Sequence, residues 1–222
     1  MTQDEFIAAH TGYNKMQELE RERDNPTMSK STLIMYEKLS DVPTSFDWRD
    51  QGAVTPQKRS KPGCNGGWMM DAFEYITQNQ GITTEQSYPY EGKQETCDSE
   101  KHIDKVATIN GYQMVPANDE EALLKAVANQ PVSVALDSRG RNFQFYTGTG
   151  VFTGECDSVL THGVTIVGYG TSEEGLKYWV IKNSWGKTWG ENGFMKIQRG
   201  VNAPGGLCGI ARMPRIQWYN FM

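Results

Sequence analysis

Residues 178–200 read YWVIKNSWGKTWGENGFMKIQRG. β-Branched and aromatic residues dominate both ends of this stretch, whereas glycines and two tryptophans crowd its centre. Apolar runs on either side of a glycine-rich segment predict two β-strands, at 177–184 and 193–199. Asn183 ends the first run, so a polar amide lies beside the two tryptophans. We interpret this amide as a candidate functional group.

The same pattern of β-branched and aromatic runs between glycine-rich turns extends towards the N-terminus as far as Pro131. It predicts two further strands, at 131–137 and 162–170. Two helices are predicted before them, from Trp68 to Gln80 with Gly81 as C-cap, and within 117–131 with Asn118 or Asp119 as N-cap. Helices that come early and strands that come late predict an α+β architecture with two segregated lobes.

His162 stands at the start of an apolar strand, 21 residues before Asn183. A lone histidine in a strand is most often a structural residue with its hydrogen bonds satisfied. Two strands that pair would, however, bring His162 and Asn183 together. An imidazole oriented by an amide is the base half of a Cys-His-Asn arrangement.

Composition excludes several classes of protein. The chain has 222 residues and a formal net charge of −5, which gives no electrostatic reason to expect a nucleic acid partner. No apolar run approaches the roughly 20 residues of a membrane span, and the first residues lack the pattern of a secretory signal. The four cysteines form no CxxC pair, so we expect neither a structural zinc nor another cofactor.

Eight motifs resemble those of papain-like cysteine proteases, and they occur in the same order. They are FDWRDQGAVTP, GCNGGWMMDAF, YPYEG, QPVSVALD, GVFTGEC, THGVTIVGYG, YWVIKNSWGKTWGENGFMKIQRG and GLCGIA. The resemblance is greatest to the plant senescence-associated, vacuolar kind, and it extends from about Val42 to Ala211. It implies a protein that binds polypeptides or peptide-like ligands, as a monomer, in a family that is usually vacuolar, lysosomal or extracellular.

The resemblance also divides the chain. It implies that residues 1–41 are the remnant of an inhibitory propeptide with its linker, and that residues 42–222 are a papain-like peptidase domain. That domain is expected to be two-lobed, with an incomplete helical lobe and a largely retained lobe of antiparallel, β-barrel-like character.

The resemblance assigns roles to particular residues. His162 takes the position of the general base, Asn183 holds its imidazole, and two tryptophans shield that hydrogen bond from water, Trp185 and Trp189. Three residues match the stretch that pairs with the substrate backbone: Asn65, Gly66 and Gly67. Four match the walls of the apolar pocket that selects a substrate side chain: Trp68, Met69, Ala135 and Gly163.

The chain departs from the family at the nucleophile. In the family, GAVTP leads within about ten residues to a glutamine and then to C-G-S-C-W, whose second cysteine attacks the substrate. Here GAVTPQ continues directly into KRSKPGCNGG at the join of Gln57 and Lys58. A nucleophile near residue 65 would lie only 97 residues before His162, where the family spacing is roughly 130–150. About 35 to 50 residues are therefore missing, and Cys64 resembles the disulfide cysteine of GCNGG.

The missing stretch has further consequences. In the family this stretch carries three features: the long helix of the helical lobe, the glutamine that donates to the oxyanion, and the disulfide partners of Cys64 and Cys97. Gln57 does not replace that glutamine. The bridge between Cys156 and Cys208 is expected to remain. Since a native domain is stable by only about 5–15 kcal/mol, we expect the helical lobe not to survive as a packed unit. The ending RMPRIQWYNFM also departs from the family, which puts the last strand of the family fold in doubt.

Three hypotheses follow from this departure. The chain is a defective version of a cysteine endopeptidase, or a non-catalytic binder of peptides or proteases, or a remnant that does not fold stably. All three predict that the chain does not hydrolyse peptides by thiol chemistry.

Overall fold

The computed structural model describes residues 41–55, 67–91, 95–101, 103–203 and 205–218. The expected propeptide remnant, apart from its last residue, lies outside these ranges. The same holds for the Gln57–Lys58 join and for Cys64, Asn65 and Gly66.

One mixed sheet of eight strands forms the body of the described chain. The strands are β1 (Phe46–Asp47), β2 (Gly111–Met114), β3 (Val132–Leu136), β4 (Val151–Phe152), β5 (His162–Thr171), β6 (Lys177–Lys182), β7 (Phe194–Gln198) and β8 (Arg215–Trp218). Their order is β2-β8-β3-β5-β6-β7-β4, and β1 pairs with β5. All pairs are antiparallel except β4 with β7.

The sheet is open, which corrects the expectation of a barrel-like lobe. Strands β2 and β4 lie at its two ends, and within the described ranges they do not pair with each other. β4 contributes only two residues and runs parallel to β7, so it ends the sheet rather than closing it. The α+β class itself holds, because helices lie outside this sheet.

In the part of the chain that the structure describes, three α-helices accompany the sheet: α1 (Met69–Gln78), α2 (Glu120–Asn129) and α3 (Arg141–Gln144). α2 begins at Asp119, whose carboxylate accepts hydrogen bonds from the backbone N–H groups of Glu121 and Ala122. Asp119 is thus the N-cap, rather than Asn118. α1 ends before Gly81, and the left-handed position after it is taken by Gln80, with φ of 57°.

The main core lies between α2 and the sheet. It contains the large, fully buried side chains of Leu123, Ile166 and Trp179. The indole N–H of Trp179 donates to the carboxylate of Glu120 at 2.9 Å, which ties the first turn of α2 to β6. The other oxygen of this carboxylate accepts from the N–H of Gly200 at 2.8 Å. This packing fixes the strands on which the candidate site is built.

The chain ending forms a strand although its sequence departs from the family. β8 pairs with β2 along four residues, and Arg215 also pairs with Ser133 of β3. Ile216 is 3% exposed and belongs to the main core. β8 therefore forms because it pairs with β2 and β3 and buries Ile216, and not because of a pattern in its own sequence.

Candidate active site

His162 and Asn183 are joined by a hydrogen bond of 2.8 Å between Nε2 and Oδ1. The backbone N–H of Ser184 also donates to this Oδ1, at 2.7 Å, which identifies the atom as the oxygen of the amide. Because a carbonyl oxygen only accepts, Nε2 of His162 must carry the proton. In the neutral ring, the proton-accepting nitrogen is therefore Nδ1.

Strand pairing explains why two residues 21 positions apart meet. His162 is the first residue of β5, and Asn183 directly follows the last residue of β6. β5 and β6 are antiparallel neighbours, with Thr165 opposite Lys182. The backbone N–H of Asn183 donates to the carbonyl of Gly193, just before β7, at 3.0 Å, which fixes the backbone that carries the side-chain amide.

Tryptophan rings enclose the His162–Asn183 hydrogen bond. Trp185 stacks on the imidazole with ring centroids 4.9 Å apart and an interplanar angle of 26°. Trp189 packs edge-on against Trp185 at 5.1 Å, and its indole N–H donates to the backbone carbonyl of Gln144. His162 is 6% exposed and Asn183 is 2% exposed. The pair therefore lies in an apolar enclosure from which bulk water is largely excluded.

The residues expected to form the substrate groove fall into two groups. Gly67 and Gly163 are exposed, and a Cβ built on either would meet no atom within 4 Å. Trp68 and Ala135 are buried, at 3% and 0% exposed, and Met69 is partly buried beside them. Gly67 and Gly163 thus lie at an open surface, whereas Trp68 and Ala135, both expected as pocket walls, are buried.

The cysteines of the described ranges are not arranged as a nucleophile beside His162. Cys156 and Cys208 form a disulfide, as the resemblance implied. Cys97 is reduced and exposed, and its loop packs through Asp98, whose N–H donates to the hydroxyl of Tyr88. Cys64 lies outside the described residues.

A sequence model described as papain family cysteine protease matches residues 56–218, well over half of the chain. The chain belongs to the papain family. Vignain of Phaseolus vulgaris is 44% identical over 255 residues, which cover 96% of this chain and 69% of vignain. The senescence-specific cysteine protease SAG12 of Arabidopsis thaliana is 42% identical over 253 residues, which cover 95% of this chain and 72% of SAG12.

A solved structure agrees with this membership. The proform of the cysteine protease Amb a 11, a ragweed pollen allergen, superposes with a TM-score of 0.91 at 35% identity. The superposition covers 100% of this chain and 72% of the Amb a 11 chain. The predicted family and the papain-like α+β fold are confirmed.

Two features of this papain-family site were not predicted. Ser138 and Thr161 are both fully buried, and the N–H of Ser138 donates to the hydroxyl of Thr161 at 3.1 Å, which fixes the backbone just before His162. The amide Nδ2 of Asn183 is buried without a hydrogen-bond partner among the described residues. Neither feature has a signal in the sequence, because the Ser138–Thr161 contact depends on the register between β3 and β5, and the unpaired Nδ2 depends on the turn after β6.

Two ionisable groups near the pair are perturbed by burial. Burial lowers the pKa of Lys182, whose ammonium donates to the hydroxyl of Thr55. Burial also raises the pKa of Tyr146, which packs against Trp189. Both shifts have the sign expected when the charged form of a group loses water.

In the described ranges, no three His, Cys, Asp or Glu side chains are grouped so as to hold a metal ion. None of the helices described combines the length and apolar character that a membrane span requires.

Proposed function

We propose that this chain is a papain-family homologue that binds extended peptides and does not cleave them. One observation carries the proposal. The chain contains the base and its orienting amide, His162 and Asn183, but GAVTPQ joins KRSKPGCNGG without the family's C-G-S-C-W segment between them.

The family reaction shows what is missing. A thiolate attacks the scissile carbonyl, an acyl-thioester forms, and the histidine transfers the proton between the thiol and the leaving amine. In this chain the Nε2–H of His162 is bonded to Asn183, so in the neutral ring Nδ1 is the nitrogen that could accept a proton. Because the chain lacks the cysteine of C-G-S-C-W and the oxyanion glutamine, the imidazole has no nucleophile of the family to activate.

Alignment lengths support the absence of an internal segment. The alignments with vignain and SAG12 extend over 255 and 253 residues, whereas this chain has 222. Each relative therefore contains at least 33 or 31 aligned positions, respectively, that this chain lacks. This minimum agrees with the gap of about 35 to 50 residues inferred from the spacing of the motifs.

The groove residues support peptide binding. Gly163, the neighbour of His162 in β5, and Gly67 are both exposed with open space around their Cα atoms, and glycine allows a peptide backbone to approach closely. Asn65 and Gly66 precede Gly67 and complete the stretch that we propose pairs with the ligand backbone. The ligand class is accordingly an extended polypeptide, bound by one copy of this chain.

The division of the chain belongs to the same proposal. Residues 1–41 are taken as a propeptide remnant and its linker, and residues 42–222 as the shortened peptidase domain. The family match over residues 56–218 supports the second assignment. We place the protein in the compartments of its family, the vacuole or the secretory route.

A second candidate is that the chain is an incomplete product of a gene for an active endopeptidase. The abrupt join at Gln57 and Lys58 favours it. Sequencing the transcript across this join separates the two candidates. A transcript that encodes C-G-S-C-W between these residues would establish the second, whereas a transcript that matches this chain supports the first.

Binding without turnover is the direct test of the proposal. The purified chain is titrated with capped peptides while the peptides are followed by mass spectrometry. We expect saturable binding and intact peptides after long incubation. Cleavage that is lost in His162→Ala would contradict the proposal.

A further inference from the structure

A groove with a volume of about 590 Å³ lies between α3 and the segment that begins with β4. Its lining comes from α3 and the loop after it, and from β4 and the two residues that follow. Small-molecule sites usually have volumes of about 300–1,000 Å³. His162 and Asn183 are not among the lining residues, so this α3–β4 groove is separate from the candidate active site.

The floor of the α3–β4 groove is aromatic and held in place by its neighbours. Tyr146 and Phe152 are buried, and their rings meet edge-on with centroids 6.2 Å apart. The hydroxyl of Tyr146 donates to the backbone carbonyl of Gly150 at 2.6 Å, which fixes this ring against the loop. A Cβ built on Gly154 would meet the Phe152 ring at 2.8 Å, so a larger residue there would displace the ring. The floor is therefore formed before any ligand binds.

The rim of the α3–β4 groove is polar and carries a cation. Exposed hydroxyl and amide side chains line it, those of Asn142, Thr147, Thr149 and Thr153. Arg141 is the only charged residue among the described residues of the lining, and within the described chain it forms no ion pair. Its guanidinium lies 5.8 Å from the ring centroid of Phe145, which is 55% exposed. A cation and an accessible aromatic ring thus lie side by side among hydrogen-bonding groups.

From this lining we infer that the α3–β4 groove binds an acidic oligosaccharide, a short chain of sugar units that carry carboxylates. Threonine hydroxyls and the amide of Asn142 both donate and accept hydrogen bonds, as sugar hydroxyls require of their partners. The C–H face of a sugar ring is apolar and loses water when it packs on the exposed ring of Phe145. The guanidinium of Arg141 has the geometry to bind a carboxylate with two parallel hydrogen bonds.

Other ligand classes fit this lining less well. A nucleic acid would need several cations, whereas the described lining provides one, in a chain of net charge −5. A purely apolar ligand would leave the hydroxyls and the amide of the rim without hydrogen-bond partners. A metal ion would need carboxylate, imidazole or thiolate ligands, and the described lining contains none. An acidic peptide supplies the carboxylate but few hydroxyls for the rim.

The test is a titration of the full chain with trigalacturonic acid, and with galactotriose as the neutral control, by calorimetry and NMR. We expect saturable binding of trigalacturonic acid that is at least tenfold tighter than that of galactotriose, because only the acidic sugar forms charge-assisted hydrogen bonds with Arg141. The backbone amide signals of Thr149, Thr153 and Gly154 should shift on binding. The amide signal of Gly163, beside His162, should stay in place.

Two variants with matched controls test the groove residues. Arg141→Gln should lower the affinity for trigalacturonic acid about tenfold, towards that of the neutral sugar. Phe145→Ala should lower the affinity for both sugars about fivefold, because the stacking ring is lost. Lys177→Gln and Tyr75→Ala remove an exposed cation and an exposed ring elsewhere on the surface, and both should bind as the full chain does.

The inference is overturned if trigalacturonic acid does not bind saturably, if the shifted amides lie outside the α3–β4 groove, or if Arg141→Gln and Phe145→Ala bind as the full chain does. Equal affinity for galactotriose would contradict the assignment of an acidic ligand. A capped triaspartate peptide that binds as tightly as trigalacturonic acid would contradict the assignment of a sugar. None of these results depends on whether the chain also binds peptides near His162.

Discussion

Asn183 satisfies two buried donors with a single oxygen, the imidazole Nε2–H of His162 and the backbone N–H of Ser184. The residue type and the pairing with His162 were predicted from the sequence, because the motif lies at the end of an unambiguous strand. The second donor was not predicted, since it depends on the turn conformation after β6. The same holds for the unpaired Nδ2 atom.

Asn183→Ala tests this arrangement. We expect it to lower the free energy of unfolding by about 1–3 kcal/mol, because two buried donors lose their acceptor. Denaturant unfolding followed by tryptophan fluorescence measures the change. Asn202→Ala, at an exposed position, is the control and should change stability by less than about 0.5 kcal/mol. Equal effects of the two substitutions would show that the amide does not hold the imidazole.

At the scale of elements, the strands that flank the site could be predicted and the peripheral ones could not. β3, β5, β6 and β7 lie within the predicted ranges to within one or two residues, because each is a β-branched or aromatic run next to glycine or proline. β1 and β4 have two residues each, too few for a pattern of alternation. β2 and β8 pair across about a hundred residues of sequence, so their strand state comes from each other.

Whether the sheet closes into a barrel could not be predicted from the sequence either. Periodicity identifies strands, whereas an open sheet differs from a barrel only in whether the end strands pair. α1 was predicted with its start within one residue, but its C-terminal cap was assigned to Gly81 rather than to the turn at Gln80. A glutamine in the left-handed conformation is uncommon, and its neighbour glycine was the stronger signal.

The N-cap of α2 provides a prediction at this scale. Asp119→Ala removes the acceptor of two backbone N–H groups and should destabilise the chain by about 1 kcal/mol, within a range of 0.5–2. Asp119→Asn keeps an acceptor oxygen and should retain most of the stability. Thermal or urea unfolding of the three proteins gives the comparison. An Asp119→Ala variant as stable as the parent would mean that another group caps the helix.

At the scale of the whole molecule, the disulfide pattern distinguishes a retained lobe from a rearranged one. The Cys156–Cys208 bridge closes 52 positions of sequence and should contribute about 4 kcal/mol to stability in the chain-entropy model. Peptide mapping under non-reducing conditions should find this bridge, and reduction should lower the unfolding midpoint. A dominant Cys64–Cys97 bridge would contradict the account, because the family pairs each of these cysteines with a residue of the missing segment.

Hydrogen exchange tests the expected weakness of the helical part. α1 buries only Met70 and Phe73 of its ten residues, whereas β5 buries most of its length in the sheet. We expect amides of β5 and β6 to exchange only on global unfolding, and those of α1 to exchange about a hundredfold faster through local opening. Equal, high protection in both regions would show that α1 has packed into a complete lobe despite the missing segment.

The absence of a nucleophile is the central claim, and covalent labelling tests it most directly. The folded chain is incubated with an epoxide-type active-site label of papain-like enzymes, next to His162→Ala, and each is examined by intact mass and peptide mapping. We expect no addition that depends on His162, because Cys64 is the cysteine of GCNGG and not the attacking thiol. Stoichiometric labelling of Cys64 that disappears in His162→Ala would contradict it.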